Sequence, residues 1–387
     1  MTKIHKKKYI DQNVYEKALE RIEYLYEVFD DVVVSFSGGK DSTAMLLCAI
    51  EVAEKIGRLP VKAVFYDEEA IHPPTIEYVE RVRNDPKVDL EWYCIPIKHR
   101  NACSNKEPYW YCWDPDKKDI WVRDLPDDCI TEHERFQYGM SMQEFGTEHF
   151  KNTSCVVLQG IRTEESLRRY RAVANKKQEN FITKPAKGVV FAYPIYDWSS
   201  GDVWKIVSVK NADYNKTYDI FNRTDWHGHY LTQRVCPPYG EEPLRGLWVY
   251  AECFPEMWQK MIHRVAGATT AARYGNTELY SQGYKPDQTS WRDHVQSVIE
   301  QFEGQNRIDV TKQLNSAINA HIKKTDDPIP ELQSHPVSGL SWKFLSKMVT
   351  RGDLKGRVIQ GLSSEANKTC IKLGITQEEA KIKYGKK

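Results

Sequence analysis

A stretch near the amino terminus restricts the folds open to this chain more than any other. Val32–Val34 is a β-branched apolar run, which predicts a buried strand. Ser37–Gly39 can form a tight turn, and the residues from Ala44 onward have the apolar spacing of a helix. A glycine-rich turn between a strand and a helix binds phosphate, because backbone N–H groups and the positive end of the helix dipole converge there.

The side chains of the same stretch have the chemistry that a phosphate site needs. Lys40 contributes a positive charge, and Ser37 and Ser42 contribute hydroxyl groups. Asp41 could hold a metal-bound water or help to cap the helix. Lys40 and Asp41 are therefore candidate catalytic residues.

The Walker A pattern does not fit these residues. It would need a glycine where Val34 stands and a hydroxyl where Asp41 stands. Ser37–Ser42 has the form Ser-x-Gly-x-Asp-Ser and resembles the PP-loop of the ATP pyrophosphatases. That resemblance implies cleavage of ATP between the α- and β-phosphates, with the departing pyrophosphate held by the loop. The alternative is a glycine turn in an unrelated α/β protein.

Length and composition indicate a globular protein of two domains. The chain has 387 residues, of which 41% are hydrophobic and 28% charged, and its mean hydropathy is −0.63. We expect no membrane-spanning helix, since no apolar run approaches ~18 residues. Met1–Lys8 is basic without an apolar run behind it, so we expect no signal peptide.

The net charge of +1 argues against a generic polyanion binder, although basic patches could still exist locally. The lysines of Lys3–Lys8 and those from Lys381 onward could contact nucleic acid or belong to solvated ends. Nine cysteines are scattered without a Cys-x-x-Cys pair, which indicates reduced thiols in a cytoplasmic protein. Three of the cysteines lie in one insertion: Cys103, Cys112 and Cys129. Their spacing matches no metal-binding pattern, so we expect no iron–sulfur cluster.

A second buried strand is predicted over Val61–Tyr66 and is followed by Asp67. A parallel sheet binds ligands at the carboxyl ends of its strands, so we expect Asp67 beside the loop. Asp41 and Asp67 are the candidate ligands for Mg²⁺. Glu68–Glu69 comes next and could help bind a second metal or a different substrate, or form a solvated loop.

Four arginines follow a strand predicted over Ser154–Leu158. Guanidinium groups bind planar oxyanions bidentately, so the arginines could neutralise phosphate or an acidic acceptor. The alternative is a surface helix with salt bridges. The arginines are Arg162, Arg168, Arg169 and Arg171.

The remaining elements follow from apolar spacing. Two further strands are predicted over Leu90–Ile97 and Val189–Ile195. Helices are predicted over Asn13–Phe29, Glu132–Phe150, Pro255–Val265, Ser290–Phe302, Val310–Ile322 and Trp342–Val349.

Four motifs between about residues 30 and 215 together resemble the phosphoadenosine phosphosulfate (PAPS) reductase family. Besides the loop, they are Asp67 followed by prolines and Thr75, then Gly160-Ile161-Arg162 with Glu165, Ser166 and Arg169, and finally Pro194–Ser199 with Asp202-Val203-Trp204. The resemblance implies an α/β domain, with a five-stranded parallel sheet between helices as in adenine nucleotide α-hydrolases. Its strand order would be 3-2-1-4-5, with the loop where the order reverses.

The resemblance also implies which residues bind an adenine nucleotide such as ATP, together with Mg²⁺. The catalytic set is Lys40, Asp41 and Arg162. The nucleotide-binding set is Ser35, Ser37, Gly38, Gly39, Lys40, Asp41, Ser42, Asp67, Gly160, Arg162, Glu165, Ser166 and Arg169.

The second half departs from the reductases. Their Glu-Cys-Gly-Leu/Ile-His segment is absent, and the last cysteine is Cys370. Reduction needs that thiolate, so we do not expect reductase activity. Arg234–Glu242 and Gly246–Trp248, with Trp113–Asp119 earlier, resemble instead the immunoglobulin-binding regulator A (IbrA) subgroup, which implies a ParB-like protein partner.

Two domains are expected: residues 1–215 bind the nucleotide, and residues 216–387 form a mainly helical accessory domain. An insertion at about 98–152 interrupts the first, and its Tyr109–Trp113 run could make a stacking surface or pack under a long loop. The candidates for contact with a substrate or partner are Trp110, Trp113, Arg168 and Cys236.

The sequence thus predicts an enzyme that splits ATP into AMP and pyrophosphate and adenylates an acceptor. The resemblance implies nucleic-acid modification, as in the tRNA-modifying PP-loop enzymes, or a DNA-linked regulatory or defence system. The alternative is a nucleotide-sensing regulatory subunit that acts with a ParB-like partner. The oligomeric state stays open.

Overall fold

Two compact units make up the chain in this computed structural model. The first consists of residues 1–99, 111–238 and 249–264, and the second of residues 100–110, 239–248 and 265–387. The residues that the structure describes are 9–104, 106–166, 169–170, 181–224, 235, 238–239, 246–274, 285, 287–350 and 358–386.

The strands form one large sheet and one small one. In chain order they are β1 (Asp31–Ser35), β2 (Val61–Tyr66), β3 (Val88–Tyr93), β4 (Lys98–Arg100), β5 (Tyr109–Tyr111), β6 (Cys155–Gln159), β7 (Ile182–Thr183) and β8 (Phe191–Ala192). The large sheet has the order β3-β2-β1-β6-β8-β7, and β4 pairs with β5. The predicted order 3-2-1-4-5 is confirmed in the five parallel strands, while β7 is an additional antiparallel strand.

The helices of the first half are α1 (Val14–Val28), α2 (Lys40–Ile56), α3 (Pro73–Arg83), α4 (Met142–His149), α5 (Ser200–Val209) and α6 (Thr217–Arg223). Those that follow are α7 (Leu247–Cys253), α8 (Pro255–Arg264), α9 (Ala268–Tyr274), α10 (Trp291–Glu300), α11 (Gly304–Ile322), α12 (Trp342–Thr350), α13 (Leu362–Leu373) and α14 (Gln377–Tyr384). Short 3₁₀ helices lie at Pro115–Ile120, Thr163–Glu165 and Val358–Gly361. In the described ranges, no helix combines the length and the apolarity needed to cross a membrane.

The core of the first unit lies between the large sheet and its helices. Val32–Val34 is buried, as its β-branched run predicts, and α2 and α1 pack on each other beside it. Arg21 of α1 is buried and donates to both carboxylate oxygens of Asp197 at 2.9 Å, and to the carbonyl of Pro194 at 2.7 Å. This ion pair fixes α1 against the loop that precedes α5.

The helix predicted over Glu132–Phe150 is shorter than expected. Gly139 has a φ of +86°, and Ser141 begins a capping box with Glu144, so the helix starts only at Met142. A helix cannot continue through a left-handed residue, which explains why the residues before Ser141 form turns.

The expected domain boundary after residue 215 does not coincide with the compact units. The helix α6 packs on α3, and α8 packs on the 3₁₀ helix at Pro115–Ile120. Residues on both sides of position 215 therefore belong to the first unit.

The second unit is helical, which confirms the class predicted for the carboxyl-terminal half. The helices α10, α11 and α12 share one apolar core. Its buried members are Val295, Val298, Ile299, Phe302, Val310, Leu314, Ala317, Leu340, Leu345, Met348, Val349 and Leu362.

A buried ion pair joins the loop after β2 to α8. Arg264 donates from Nε and Nη2 to the two carboxylate oxygens of Glu69 at 2.8 and 2.9 Å, and both side chains are at most 1% exposed. The backbone N–H groups of Trp113 and Val122 donate to the same carboxylate at 2.7 and 3.0 Å. One glutamate thus connects three segments of the chain, and the alternative of a solvated loop is wrong for Glu69.

We expect Arg264→Met to lower the free energy of unfolding by roughly 3–5 kcal/mol, because Glu69 would remain buried without its cation. Urea denaturation measures this change. The double variant Glu69→Gln/Arg264→Met should recover part of the loss. As a control, Lys55→Ala breaks an exposed ion pair with Glu23 and should change stability by about 0.5 kcal/mol or less; an equal effect in the two single variants would contradict the assignment.

Candidate nucleotide-binding site

The phosphate loop lies where the strand order of the large sheet reverses. Ser35, the last residue of β1, is in register with Val64 of β2 on one side and with Gln159 of β6 on the other. The loop Ser37–Ser42 follows directly, at the carboxyl edge of the sheet. Open α/β sheets bind ligands at this position.

Gly38 has a conformation that requires glycine. Its φ is +69°, and a Cβ atom there would lie 3.0 Å from Cγ2 of Thr75 and 3.2 Å from Cγ2 of Val79. Asn215 holds the turn by donating from Nδ2 to the carbonyl of Gly38 at 2.8 Å. Gly38 and Asn215 therefore define the shape of the turn.

Several backbone N–H groups of the loop remain available to an anion. Lys40 N–H donates to the hydroxyl of Tyr218 at 3.0 Å, and Ser37 N–H donates to Oγ of Ser42 at 3.2 Å. Within the described part of the chain, the amides of Gly38, Asp41 and Ser42 have no hydrogen-bond partner. Two of these three amides belong to the first turn of α2, a helix of 17 residues, where the helix dipole is positive.

Asp41 lies between two buried cations. Its Oδ2 is 3.2 Å from Nζ of Lys40, and its Oδ1 accepts from Nε of Arg162 at 2.5 Å. The side chains of Lys40 and Arg162 are 1% and 2% exposed, whereas that of Asp41 is 16% exposed. One carboxylate therefore faces two positive charges next to the free amides, which favours an anionic ligand.

All three guanidinium nitrogens of Arg162 donate to protein groups. Besides Asp41, its guanidinium donates to Glu164 at 2.9 Å, to the carbonyl of Trp198 at 3.3 Å and to Oγ of Ser200 at 3.2 Å. The sequence predicts that Arg162 holds the α-phosphate or an acidic acceptor. The geometry instead supports a positioning role, in which Arg162 fixes Asp41 and the amino end of α5.

Gly160 lets β6 approach the loop. A Cβ atom on this residue would lie 2.8 Å from the carbonyl carbon of Asp41 and 2.9 Å from the backbone nitrogen of Ser42. Both contacts are to backbone atoms, which cannot rotate away. The glycine of the third motif therefore sets the distance between β6 and α2.

The residues after Arg162 form local contacts. Glu165 is ion-paired with Arg169, and Oγ of Ser166 accepts from the N–H of Arg169 at 3.2 Å. This arrangement agrees with the salt-bridged alternative for the segment. Arg168 and Cys236, the other predicted contacts, lie outside the described residues.

Asp67 is fully buried at the end of β2. Its Oδ2 accepts from Nε1 of Trp92 at 2.7 Å and is ion-paired with Arg123, and its Oδ1 accepts from the N–H of Glu69 at 2.9 Å. Both carboxylate oxygens thus have protein donors, including a cation. Because Asp67 is also fully buried, whereas the side chain of Asp41 is 16% exposed, Asp67 is not part of the magnesium site that we propose below.

Glu68 is also buried, so the solvated-loop alternative is wrong for this residue as well. Burial, and to a smaller extent the nearby charge of Asp67, raise the pKa of Glu68 to about 8. Nε2 of His99 lies 3.2 Å from its carboxylate. Because an acid with this pKa is largely protonated at neutral pH, Glu68 can donate as well as accept a hydrogen bond.

Trp110 and Trp113 are buried, with 5% and 2% of their surface exposed. Trp113 donates from Nε1 to the carbonyl of Asp67 at 3.0 Å, and Trp110 packs edge-on against Tyr239 at 5.2 Å between ring centroids. The predicted stacking surface for a ligand is therefore wrong at these two rings, because they serve as core side chains.

Two residues that position the loop were not predicted from sequence. The hydroxyl of Thr75 lies 2.8 Å from Nδ2 of Asn215 and 3.0 Å from the hydroxyl of Thr217. Asn215 and Tyr218 contact the loop backbone. No local pattern marks these positions. Only an alignment of related sequences could have found them.

No group of three or more His, Cys, Asp or Glu side chains in the described segments is arranged to hold a metal ion. A magnesium ion needs only one or two carboxylates when substrate phosphates supply the other ligands. Asp41, which is partly exposed beside the loop, is the carboxylate that fits this requirement.

Comparison with known families agrees with the geometry. Residues 31–223 match the phosphoadenosine phosphosulfate reductase domain, and residues 229–336 match a domain of unknown function, DUF3440. Residues 31–223 belong to the PAPS reductase family. They form a nucleotide-binding domain with the PP-loop fold, and we call them the PAPS reductase domain below.

The sequence matches to two relatives extend beyond the PAPS reductase domain. The uncharacterized protein YbdN of Escherichia coli is 28% identical over an alignment of 365 residues, and the match covers 88% of each chain. An uncharacterized protein of Methanocaldococcus jannaschii is 27% identical over 250 residues, covering 64% of this chain and 44% of that protein.

Solved structures with a similar arrangement include a PAPS reductase from Candida auris in a phosphate complex, with 13% identity and a TM-score of 0.30 over 55% of this chain and 93% of that one. Another is the FMN adenylyltransferase of Candida glabrata in complex with FAD and inorganic pyrophosphate, with 12% identity and a TM-score of 0.33 over 61% and 84%. These scores are too low to transfer any property to this chain.

We expect Gly160→Ala to weaken nucleotide binding by the PAPS reductase domain, because the added methyl group would displace the first turn of α2. Isothermal titration calorimetry with ATP measures the effect, and a loss of about tenfold corresponds to about 1.4 kcal/mol. Gly146→Ala in α4 is the control, since a Cβ there would lie 4.0 Å from the nearest atom, on Tyr66. Equal affinities for the two variants would contradict the packing role of Gly160.

The raised pKa of Glu68 predicts a pH dependence of stability. Between about pH 4.5 and pH 8 the unfolded chain has lost the proton that folded Glu68 keeps, so this residue makes the free energy of unfolding fall as pH rises. The free energy of unfolding of Glu68→Gln, relative to that of the native protein, should therefore rise between pH 5 and pH 8. The expected rise is on the order of 3 kcal/mol. Urea denaturation across this range measures the difference, and parallel curves for the two proteins would show that Glu68 is not protonated when buried.

Proposed function

We propose that the PAPS reductase domain cleaves ATP between the α- and β-phosphates and transfers AMP to an acceptor. The observation that carries the proposal is the set of free amides of Gly38, Asp41 and Ser42 beside the amino group of Lys40. A pyrophosphate group has the charge and the oxygen atoms to occupy these donors. Similar donors at a helix amino terminus stabilise charge that develops on a leaving group.

In the proposed reaction an acceptor nucleophile attacks the α-phosphorus of ATP. A bond forms between the acceptor and phosphorus, the bond to the oxygen that bridges the α- and β-phosphates breaks, and pyrophosphate leaves with the electron pair. The acceptor loses its proton to solvent or to a nearby base. With water as the acceptor, the products are AMP and pyrophosphate.

Lys40 and the loop amides would bind the departing pyrophosphate, and Arg162 would keep Asp41 in place. Asp41 would hold a Mg²⁺ ion that arrives with the nucleotide, directly or through a water molecule. The ion would supply further neutralisation of the phosphate charge.

We place the acceptor among nucleic acids, as the resemblance to tRNA-modifying PP-loop enzymes implies, and retain a ParB-like protein as the proposed partner. Sulfonucleotide reduction is disfavoured by the position of Cys370. This residue is 1% exposed in α13, and its thiol donates to the carbonyl of Pro336 at 3.4 Å. A buried thiol is poorly placed to attack a substrate.

The test is to incubate the purified protein with Mg²⁺ and ATP labelled at the α-phosphate, with and without DNA or RNA, and to identify the products. We expect labelled AMP, and a labelled nucleic acid where the correct acceptor is present. Lys40→Met and Asp41→Asn should each reduce product formation by about 10²-fold or more, because each removes a charge beside the loop. Lys55→Ala, an exposed lysine of α2, should retain full activity.

Thermal denaturation of each variant shows whether it is folded, which separates a loss of chemistry from a loss of structure. Formation of ADP and phosphate would contradict the proposed cleavage site. ATP binding without any product would contradict the proposed enzymatic activity. It would favour the alternative, a nucleotide-sensing regulatory subunit.

A further inference from the structure

A continuous basic surface runs along the second unit. A groove of about 940 Å³ follows one face of α11 and contains Arg307, Lys312 and Lys323. A second cavity of about 570 Å³ shares Lys323 and adds Lys324, Lys381 and Lys386. These six residues are named the basic track, and all six are exposed.

The basic track concentrates positive charge in a chain that is nearly neutral. The chain has 55 lysines and arginines against 54 acidic residues. Among the described residues that line the two cavities, none is acidic. Asp326 lies 3.6 Å from Nζ of Lys386 and offsets one of the six charges, which leaves a surface that attracts a polyanion.

Short side chains that can form hydrogen bonds lie between these cations. Thr311, Asn315, Ser316 and Asn319 line the groove on α11. Hydroxyl and amide groups of this kind contact phosphate and sugar oxygens in protein–nucleic acid complexes. No aromatic residue occurs among the described lining residues, so a single strand would find no ring for its bases to stack on.

A lipid surface fits the basic track less well than a double helix does. Ile308 is the one large aliphatic side chain among the described residues that line the α11 groove, and a helix that binds membranes needs a whole apolar face. The exposed face of α11 extends over 19 residues, or about 28 Å. Duplex DNA carries about one charge per 1.7 Å, so this length spans many phosphates.

We propose that the basic track binds the phosphate backbone of a double-stranded nucleic acid. The proposal rests on the charge and side-chain chemistry of the second unit and does not depend on cleavage of ATP by the loop. Duplex DNA and duplex RNA share the backbone chemistry on which it is based, and the experiment below distinguishes them.

The test uses fluorescence anisotropy with the full chain and labelled duplexes of about 20 base pairs and mixed sequence, one DNA and one RNA. The triple variant Lys312→Ala/Lys323→Ala/Lys381→Ala removes three exposed lysines. Lys312 lines the α11 groove, Lys381 lines the second cavity, and Lys323 lines both. We expect binding to weaken about tenfold or more at 0.1 M salt. The slope of log K against log salt concentration should decrease in magnitude by about 3, or about 1 for each lysine.

The matched control is Lys55→Ala/Lys62→Ala, which removes two exposed lysines of the first unit and should leave the affinity and slope unchanged. The triple variant should still form AMP and pyrophosphate from ATP in the absence of nucleic acid, so that loss of nucleotide turnover and loss of duplex binding are separate results. The DNA and RNA arms show which duplex is preferred.

Three results would overturn the proposal. The first is the absence of duplex binding by the native protein at low salt, and the second is an unchanged affinity in the triple variant. The third is tighter binding to vesicles that contain phosphatidylserine than to either duplex, which would assign the basic track to a membrane surface.

Discussion

The ion pair between Arg162 and Asp41 is the interaction on which the candidate site depends. It joins the segment after β6 to the first turn of α2, and it balances the charge of a guanidinium that is 2% exposed. Both partners lie next to Gly160, whose missing side chain allows the two backbones to approach. If this junction opened, the free amides of the loop would no longer converge on one anion.

The features that could be predicted from sequence are those encoded by neighbouring residues. Val32–Val34 and the loop that follows gave the first strand and α2 because their signals are local. The strand order came from the resemblance to the PAPS reductase family and is confirmed by the sheet. The helical class of the second half followed from the spacing of apolar residues, as in α10 and α11.

The features that could not be predicted depend on residues far apart in the chain. Glu69 and Arg264 are separated by 195 positions, and Gly38 and Asn215 by 177. A glutamate after a strand has the same local sequence whether it is solvated or buried against an arginine. The partners of Asp67 could not be predicted for the same reason, because Trp92 and Arg123 lie outside the motif.

The distant pairing of Glu69 also affects how the protein can be made. The PAPS reductase domain ends at residue 223, yet the cation that neutralises Glu69 arrives only with residue 264. A chain that ends before residue 264 therefore lacks the cation that pairs with this buried carboxylate. The matched domain and the compact unit therefore have different ends, and a fragment cut at residue 223 would bury Glu69 without the cation that pairs with it.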